Sequence, residues 1–195
     1  MAVITISRQL GSLGTTLGHI VAERLGYQLV HREIINRAAC LAGDPELALA
    51  TIDELGLLGI EPDNAHQDAY LRAVKMVIED LADAGQTIIV GRAGQAILKD
   101  RPGVFHLRVV APVEIRIARI VEAHGVSSEA ARAQVNDSDR YRRGYLHRFY
   151  HINWEDPTLY HLVINTGHLA LEDAADVVCA TIHNQSIPTN TENKT

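Results

Sequence analysis

No apolar run in the chain approaches the roughly 18 residues that a membrane span requires. Near its start, no basic segment leads into an apolar core and a small-residue cleavage site. The chain enters β-branched residues at once, in "AVITIS", so the expectation is a cytoplasmic protein with no membrane partner. Cysteine is scarce. Cys40 and Cys179 stand far apart in apolar helical patterns, without CxxC or metal-type spacing, which predicts buried free thiols rather than a disulfide. Positive charge is also short: 18 Lys and Arg stand against 24 Asp and Glu, for a net charge of -6. A protein whose main partner is a nucleic-acid backbone selects a clearly basic face, so no nucleic acid is expected. The shortage is uneven. Between Arg37 and Arg72 there is no Lys or Arg but seven acids (Asp44, Glu46, Asp53, Glu54, Glu61, Asp63 and Asp68), whereas "DRYRRGYLHR" at 139–148 carries four arginines.

What is present is an alternation. Short β-branched runs recur at 3–7, 27–30, 87–91, 105–110 and 160–165, separated by segments of helical period, the pattern of a parallel sheet covered by helices. Three apolar stripes mark buried helix faces: Leu17, Ile20, Val21 and Leu25; Tyr70, Val74, Val77, Ile78 and Leu81; and Val113, Ile117, Ile120 and Val121. Gly26 and Gly85 are placed as C-terminal caps, and Ser127 as an N-terminal one. Two regions break the alternation: the acidic 43–66, with Pro45 and Pro62, and a long insertion at 127–159 ending in "WEDPTLY". Insertions of that size are usually arms, lids or binding loops. The polar tail is expected to be disordered.

The stretch "ITISRQLGSLGTTLG" at 4–18 runs from a strand through glycines into a helical pattern. Such a turn points several backbone N–H groups at one spot, and the helix dipole adds partial positive charge, so an anion binds there without any side chain. Gly11 and Gly14 allow close backbone approach, Ser7 and Ser12 are further donors, and the hydroxyl of Thr15 or Thr16 is a candidate Mg²⁺ ligand. The strict G-x-x-x-x-G-K-[ST] pattern is absent, because no lysine follows Gly14. His147 and His151 are four apart without a third ligand, which reads as surface histidines rather than a zinc site.

Taken in order, "ITISRQLGSLG", "HREIINRAA", "IIVGRAGQAIL", "RVVAPVEIRIARI", "DRYRR" and "WEDPTLYHLVINT" resemble the cytidylate kinase-like family, relatives of the nucleoside monophosphate kinases, over residues 1 to about 183. The resemblance implies a three-layer α/β P-loop NTPase fold over 1–183. A five-stranded parallel sheet carries an acceptor-binding arm at about 31–66 and a helical lid at about 127–159, with a tail at 184–195. It implies phosphoryl transfer from ATP, with Mg²⁺, to a nucleoside monophosphate, CMP or dCMP by resemblance. Ser7, Arg8, Gly11, Ser12, Gly14, Thr15 and Thr16 then cradle the donor phosphates. Arg37 and Arg92 orient the acceptor, His31 lies beside it, and Arg92, Arg140 and Arg142 stabilise the transferring group. That distribution suits the chemistry, since phosphoryl transfer is mostly positioning and charge stabilisation.

The departures from the family pattern are specific. The family often shows a glycine where this chain has Leu13 and an arginine where it has Thr15, so the loop is less positive than its relatives'. His31 and Ala93 stand where cytidylate kinases carry aspartates. These differences keep two other readings open: a nucleotide-binding module that has kept the fold without the chemistry, and a kinase for another small metabolite with His31 as base.

Overall fold

The computed structural model describes residues 2–42 and 64–184. β1 (Val3–Arg8) leads to α1 (Gly14–Leu25), β2 (Gln28–Val30) and α2 (Glu33–Ala42). After the segment outside the described residues come α3 (Asn64–Ala84), β3 (Thr87–Val90), the short α4 (Gly94–Ile97) and β4 (Val104–Val110). α5 (Val113–His124), α6 (Ser128–Tyr150), a 3-10 turn (Pro157–Leu159), β5 (Leu162–Asn165) and α7 (Leu171–Asn184) complete the order.

The strands form one parallel sheet in the order β2-β3-β1-β4-β5. β1 is central and paired on both edges, which is why "VITIS" is apolar or β-branched at nearly every position and buried throughout. Each face of the sheet has its own core. Ile89 and Val104 pack with Val30, Ile34, Val74, Val77, Ile78 and Leu81 on the α2–α3 side. Ile4, Ile6, Phe105, Leu107 and Val109 pack with Leu17, Val21, Ala174 and Val178 on the α1–α7 side. A smaller cluster of Ile117, Ile120, Ala131 and Val135 joins α5 to α6 and takes in Leu10.

The five strands lie within two residues of their expected ends. Gly26 caps α1 in the left-handed conformation, Gly85 follows α3 in the same conformation, and the Ser127 hydroxyl accepts from the Ala130 amide to open α6. Four expectations need correcting. Val113 is exposed, because the buried face of α5 is set by residues 116, 117 and 120 while the first turn stands outside the cluster with α6. Both thiols are free, but Cys40 is exposed and Cys179 half-buried. β5 starts at Leu162, and Tyr160, expected as its first residue, packs instead as the buried cap of the 3-10 turn. Asn184, assigned to the tail, is the last residue of α7; positions 185–195 and the acidic 43–63 lie outside the described residues. No described helix is long and apolar enough to cross a membrane.

Candidate functional site

Residues 9–13 make the turn between β1 and α1 at the carboxyl end of the central strand, where open α/β sheets bind ligands. Leu13 precedes α1 in the left-handed conformation, at φ 59°. The first helical amide to find an intrahelical acceptor is that of Leu17, which donates to the Leu13 carbonyl at 2.9 Å. The amides of Gly14, Thr15 and Thr16 thus form the open first turn of a twelve-residue helix.

Three consecutive loop carbonyls are held from behind. Arg116 Nη1 donates to Leu10 O at 3.3 Å, Arg119 Nη1 to Gly11 O at 3.2 Å, and Thr166 Oγ1 to Ser12 O at 2.8 Å. Gly11 fits because its backbone lies directly on α5: a Cβ there would stand 2.8 Å from the Arg116 carbonyl oxygen.

Arg8 does not turn into the loop. Its guanidinium crosses the end of β3 and Nη2 donates to His31 Nε2 at 2.8 Å, at the end of β2. A guanidinium has no acceptor, so Nε2 supplies the lone pair and a neutral His31 carries its proton on Nδ1. The crossing requires a glycine at position 91, where a Cβ would come within 2.5 Å of Arg8 Nη1 and φ is +80°. Arg92 and Ala93 follow, both left-handed at φ 52° and 57°, so three successive residues fold the half-buried Arg92 back at the sheet's carboxyl edge.

α6 approaches from the other side. Arg142 Nη1 donates to the Arg8 carbonyl at 3.3 Å, and Asp139 forms a two-toothed pair with Arg116 at 2.9 and 3.2 Å. Arg140, two positions from Arg142 and so on another face of the helix, is exposed and paired with Asp137 at 2.7 Å. The return to the sheet is anchored by Trp154, which is buried and donates from Nε1 to Ser7 Oγ at 2.8 Å. Its ring lies 4.4 Å from the guanidinium carbon of the buried Arg108, which also donates to its carbonyl oxygen.

Several carboxyl and imidazole groups among the described residues are displaced from their ordinary titration. The His31 amide, by hydrogen-bonding Glu33, lowers that carboxyl's pKa, and the Arg143 hydrogen bond lowers that of Glu155. Burial, with His161 alongside, lowers the His106 pKa to about 4.

Of the residues expected at the site, the fold gathers Arg8, His31, Arg92 and Arg142 around the edges of β1, β2 and β3. Gly11, Gly14, Thr15 and Thr16 line the turn and first helical turn. Ser7 and Ser12 face inward, the Ser12 hydroxyl donating to Gln9 O at 2.8 Å. Arg37 is exposed on α2, and His147 and His151 are exposed on and just after α6. Arg116, Arg119, Thr166, Arg108 and Asp139 were not anticipated. The signal was nonetheless present: two arginines three apart after the fourth strand fall on one helix face, and one of them sits within an otherwise apolar stripe.

The residues present fit a magnesium–nucleotide. Open amides and a half-buried Thr15 beside an exposed Thr16 suit phosphate oxygens and a single hydroxyl ligand. Among the described residues no three His, Cys, Asp or Glu side chains converge, and Mg²⁺ in kinases is held chiefly by phosphates and water rather than by an all-protein cage.

Residues 3–168 match the cytidylate kinase-like family. The chain belongs to this family. The cytidylate kinase of Pyrococcus horikoshii is 27% identical over 180 residues, spanning 92% of this chain and 88% of its own. A uronate isomerase of Corynebacterium glutamicum is 32% identical over 105 residues, 54% of this chain, and the chain spans 20% of that protein. Among solved structures, an uncharacterized protein from Eubacterium ventriosum superposes with a TM-score of 0.74 at 21% identity, covering 95% of this chain and all of that one. A shikimate kinase from Bacteroides thetaiotaomicron does so with 0.56 at 12%, covering 93% and 98%. The architecture is therefore the three-layer P-loop fold. Membership of the cytidylate kinase-like family places the chain among nucleotide and small-metabolite kinases, for which ATP is the implied donor.

Proposed function

We propose that the protein transfers the γ-phosphoryl group of ATP to a nucleoside monophosphate, with CMP or dCMP as the first acceptors to test. The observation that carries this reading is the path of Arg8 across Gly91 to His31, which sets a guanidinium against Gly91, the residue before Arg92, at the ends of β2 and β3. A cationic edge there suits an acceptor that arrives with its own phosphate. The same contact speaks against an alcohol acceptor: His31, the candidate base, already offers its Nε2 lone pair to Arg8, and a phosphate oxygen needs no base.

In this reading the turn and first-turn amides hold the donor phosphates, and Thr15 or Thr16 supplies one ligand to Mg²⁺, which when bound draws charge from the phosphate oxygens. Arg8 and Arg92 orient the acceptor phosphate, with Arg37 and His31 beside it. Arg142 supplies positive charge from α6, and Arg140 joins it only if α6 turns. An acceptor phosphate oxygen forms the new P–O bond as the bond to the departing ADP breaks, and closure of 127–159 excludes water from that step. A net charge of -6 and the nucleotide-sized chemistry agree with small-molecule partners in the cytoplasm.

The test is a coupled assay of purified protein with ATP and Mg²⁺ against ribo- and deoxyribonucleoside monophosphates, with Arg92→Ala as control. Turnover on one acceptor, reduced by about a hundredfold or more in the control, is the expected result. ATP binding without turnover on any acceptor would point to the binding-module reading.

A further inference from the structure

Asp139 sits in the middle of α6 and Leu10 in the phosphate loop, and one guanidinium connects them. Arg116 is 4% exposed. Its Nε donates to Ala111 O at 3.1 Å, Nη1 to Leu10 O at 3.3 Å and to Asp139 Oδ1 at 3.2 Å, and Nη2 to Asp139 Oδ2 at 2.9 Å. Asp139 is the only carboxylate paired with this guanidinium among the described residues. A buried cation stripped of its carboxylate moves toward water or a new partner, because its desolvation is no longer offset.

The direction of the Leu10 carbonyl matters because the peptide is planar and trans: the Leu10 C=O and the Gly11 N–H point opposite ways. Holding Leu10 O against α5 therefore turns the Gly11 amide to the other side of the loop. Arg119 on Gly11 O and Thr166 on Ser12 O extend the same constraint along the turn. The loop has no lysine to gather phosphates, so its anion affinity rests on where these amides point. α6 also reaches the last residue of β1, just before the loop, through Arg142 on Arg8 O, three positions and nearly one turn after Asp139.

We propose that Asp139 is a positioning residue for the phosphate loop. Acting through Arg116, it sets the Leu10–Gly11 peptide before any anion arrives and fixes the first half of α6 to the loop. The moving part of the lid then begins beyond residue 139 rather than at 127. The structural half of this proposal holds for any ligand; its consequence for donor binding rests on the phosphotransferase reading.

The test compares the wild-type protein with Asp139→Asn and with the double variant Arg116→Met/Asp139→Leu, which replaces the pair by apolar side chains that retain packing. Amide hydrogen exchange of residues 10–14 is followed without ligand, alongside thermal melting and calorimetric ATP affinity. The loss of one charge-assisted bond at Leu10 is expected to raise loop exchange and to weaken ATP binding by about tenfold in both variants. The double variant is expected to melt within a few degrees of wild type. A pair that served stability alone would give the double variant wild-type exchange and wild-type ATP affinity, and that result would overturn the proposal. Unchanged loop exchange in Asp139→Asn would overturn it too, whatever the protein binds. If wild type binds no ATP, the phosphotransferase reading fails, and loop exchange still decides the role of Asp139.

Discussion

Gly91→Ala is the substitution that most directly probes the cationic edge. The methyl group would stand 2.5 Å from Arg8 Nη1 and 3.2 Å from the guanidinium carbon. Both atoms are at the far end of a flexible side chain, so the arginine yields and leaves His31. The backbone at φ +80° adds roughly 1 kcal/mol of strain for any residue with a Cβ. Loss of one cation that orients the acceptor phosphate in the transition state costs on the order of 3 kcal/mol, about a hundredfold in rate. The expected enzyme is folded, slightly less stable, and about a hundredfold slower in kcat/KM on its best acceptor. The assay is a double-mutant cycle with Arg8→Met. If alanine acts by displacing Arg8, each single change costs nearly as much as both together, because they remove one interaction. Additive losses, or a Gly91→Ala enzyme with wild-type turnover, would refute the idea that this glycine exists to let Arg8 cross.

Two further outcomes follow from other residues. His106 is buried with Nδ1 on Thr5 Oγ1 at 2.7 Å, and its pKa falls from 6.5 to about 4. Between these values the unfolded chain takes up a proton that the native state refuses. Stability is therefore intact above about pH 6.5 and falls by about 3 kcal/mol as pH approaches 4; urea midpoints of wild type minus those of His106→Gln across that window give the measurement, and parallel curves would exclude His106 as the cause. Leu13→Gly relieves the left-handed residue before α1 and is expected to raise stability by about 1 kcal/mol, read as a higher melting temperature; a lower one would mean that the Leu13 side chain contributes more than its backbone costs.

Much of this arrangement was legible from residue types and periodicity. β-branched runs with glycine breaks mark the strands because a parallel sheet buried on both faces admits little else, and the turn at 9–13 declares itself by its glycines. The path of Arg8 was not legible, since a long side chain on the last residue of a strand has several ways to go and nothing local chooses among them. Arg140 and Arg142 illustrate a different gap. Two positions apart in the motif, they part company once 128–150 is one continuous helix, because two residues span about 200° of turn. For Arg116 the apolar stripe of α5 hinted at burial, but its partner was hidden for the opposite reason: Asp139 lies 23 residues away, and no window of helical period contains both.

The protein has one tryptophan, and it is Trp154. Its indole is sealed against the end of the first strand and under a guanidinium, at the point where the long helix returns to the sheet. Its intrinsic fluorescence is therefore a label-free reporter on that junction alone. Emission stays blue-shifted and shielded from acrylamide while the return segment is seated, and it reddens when the segment lifts. Stopped-flow traces with each nucleotide would thus time the movement of one end of the lid separately from chemistry, without an added dye.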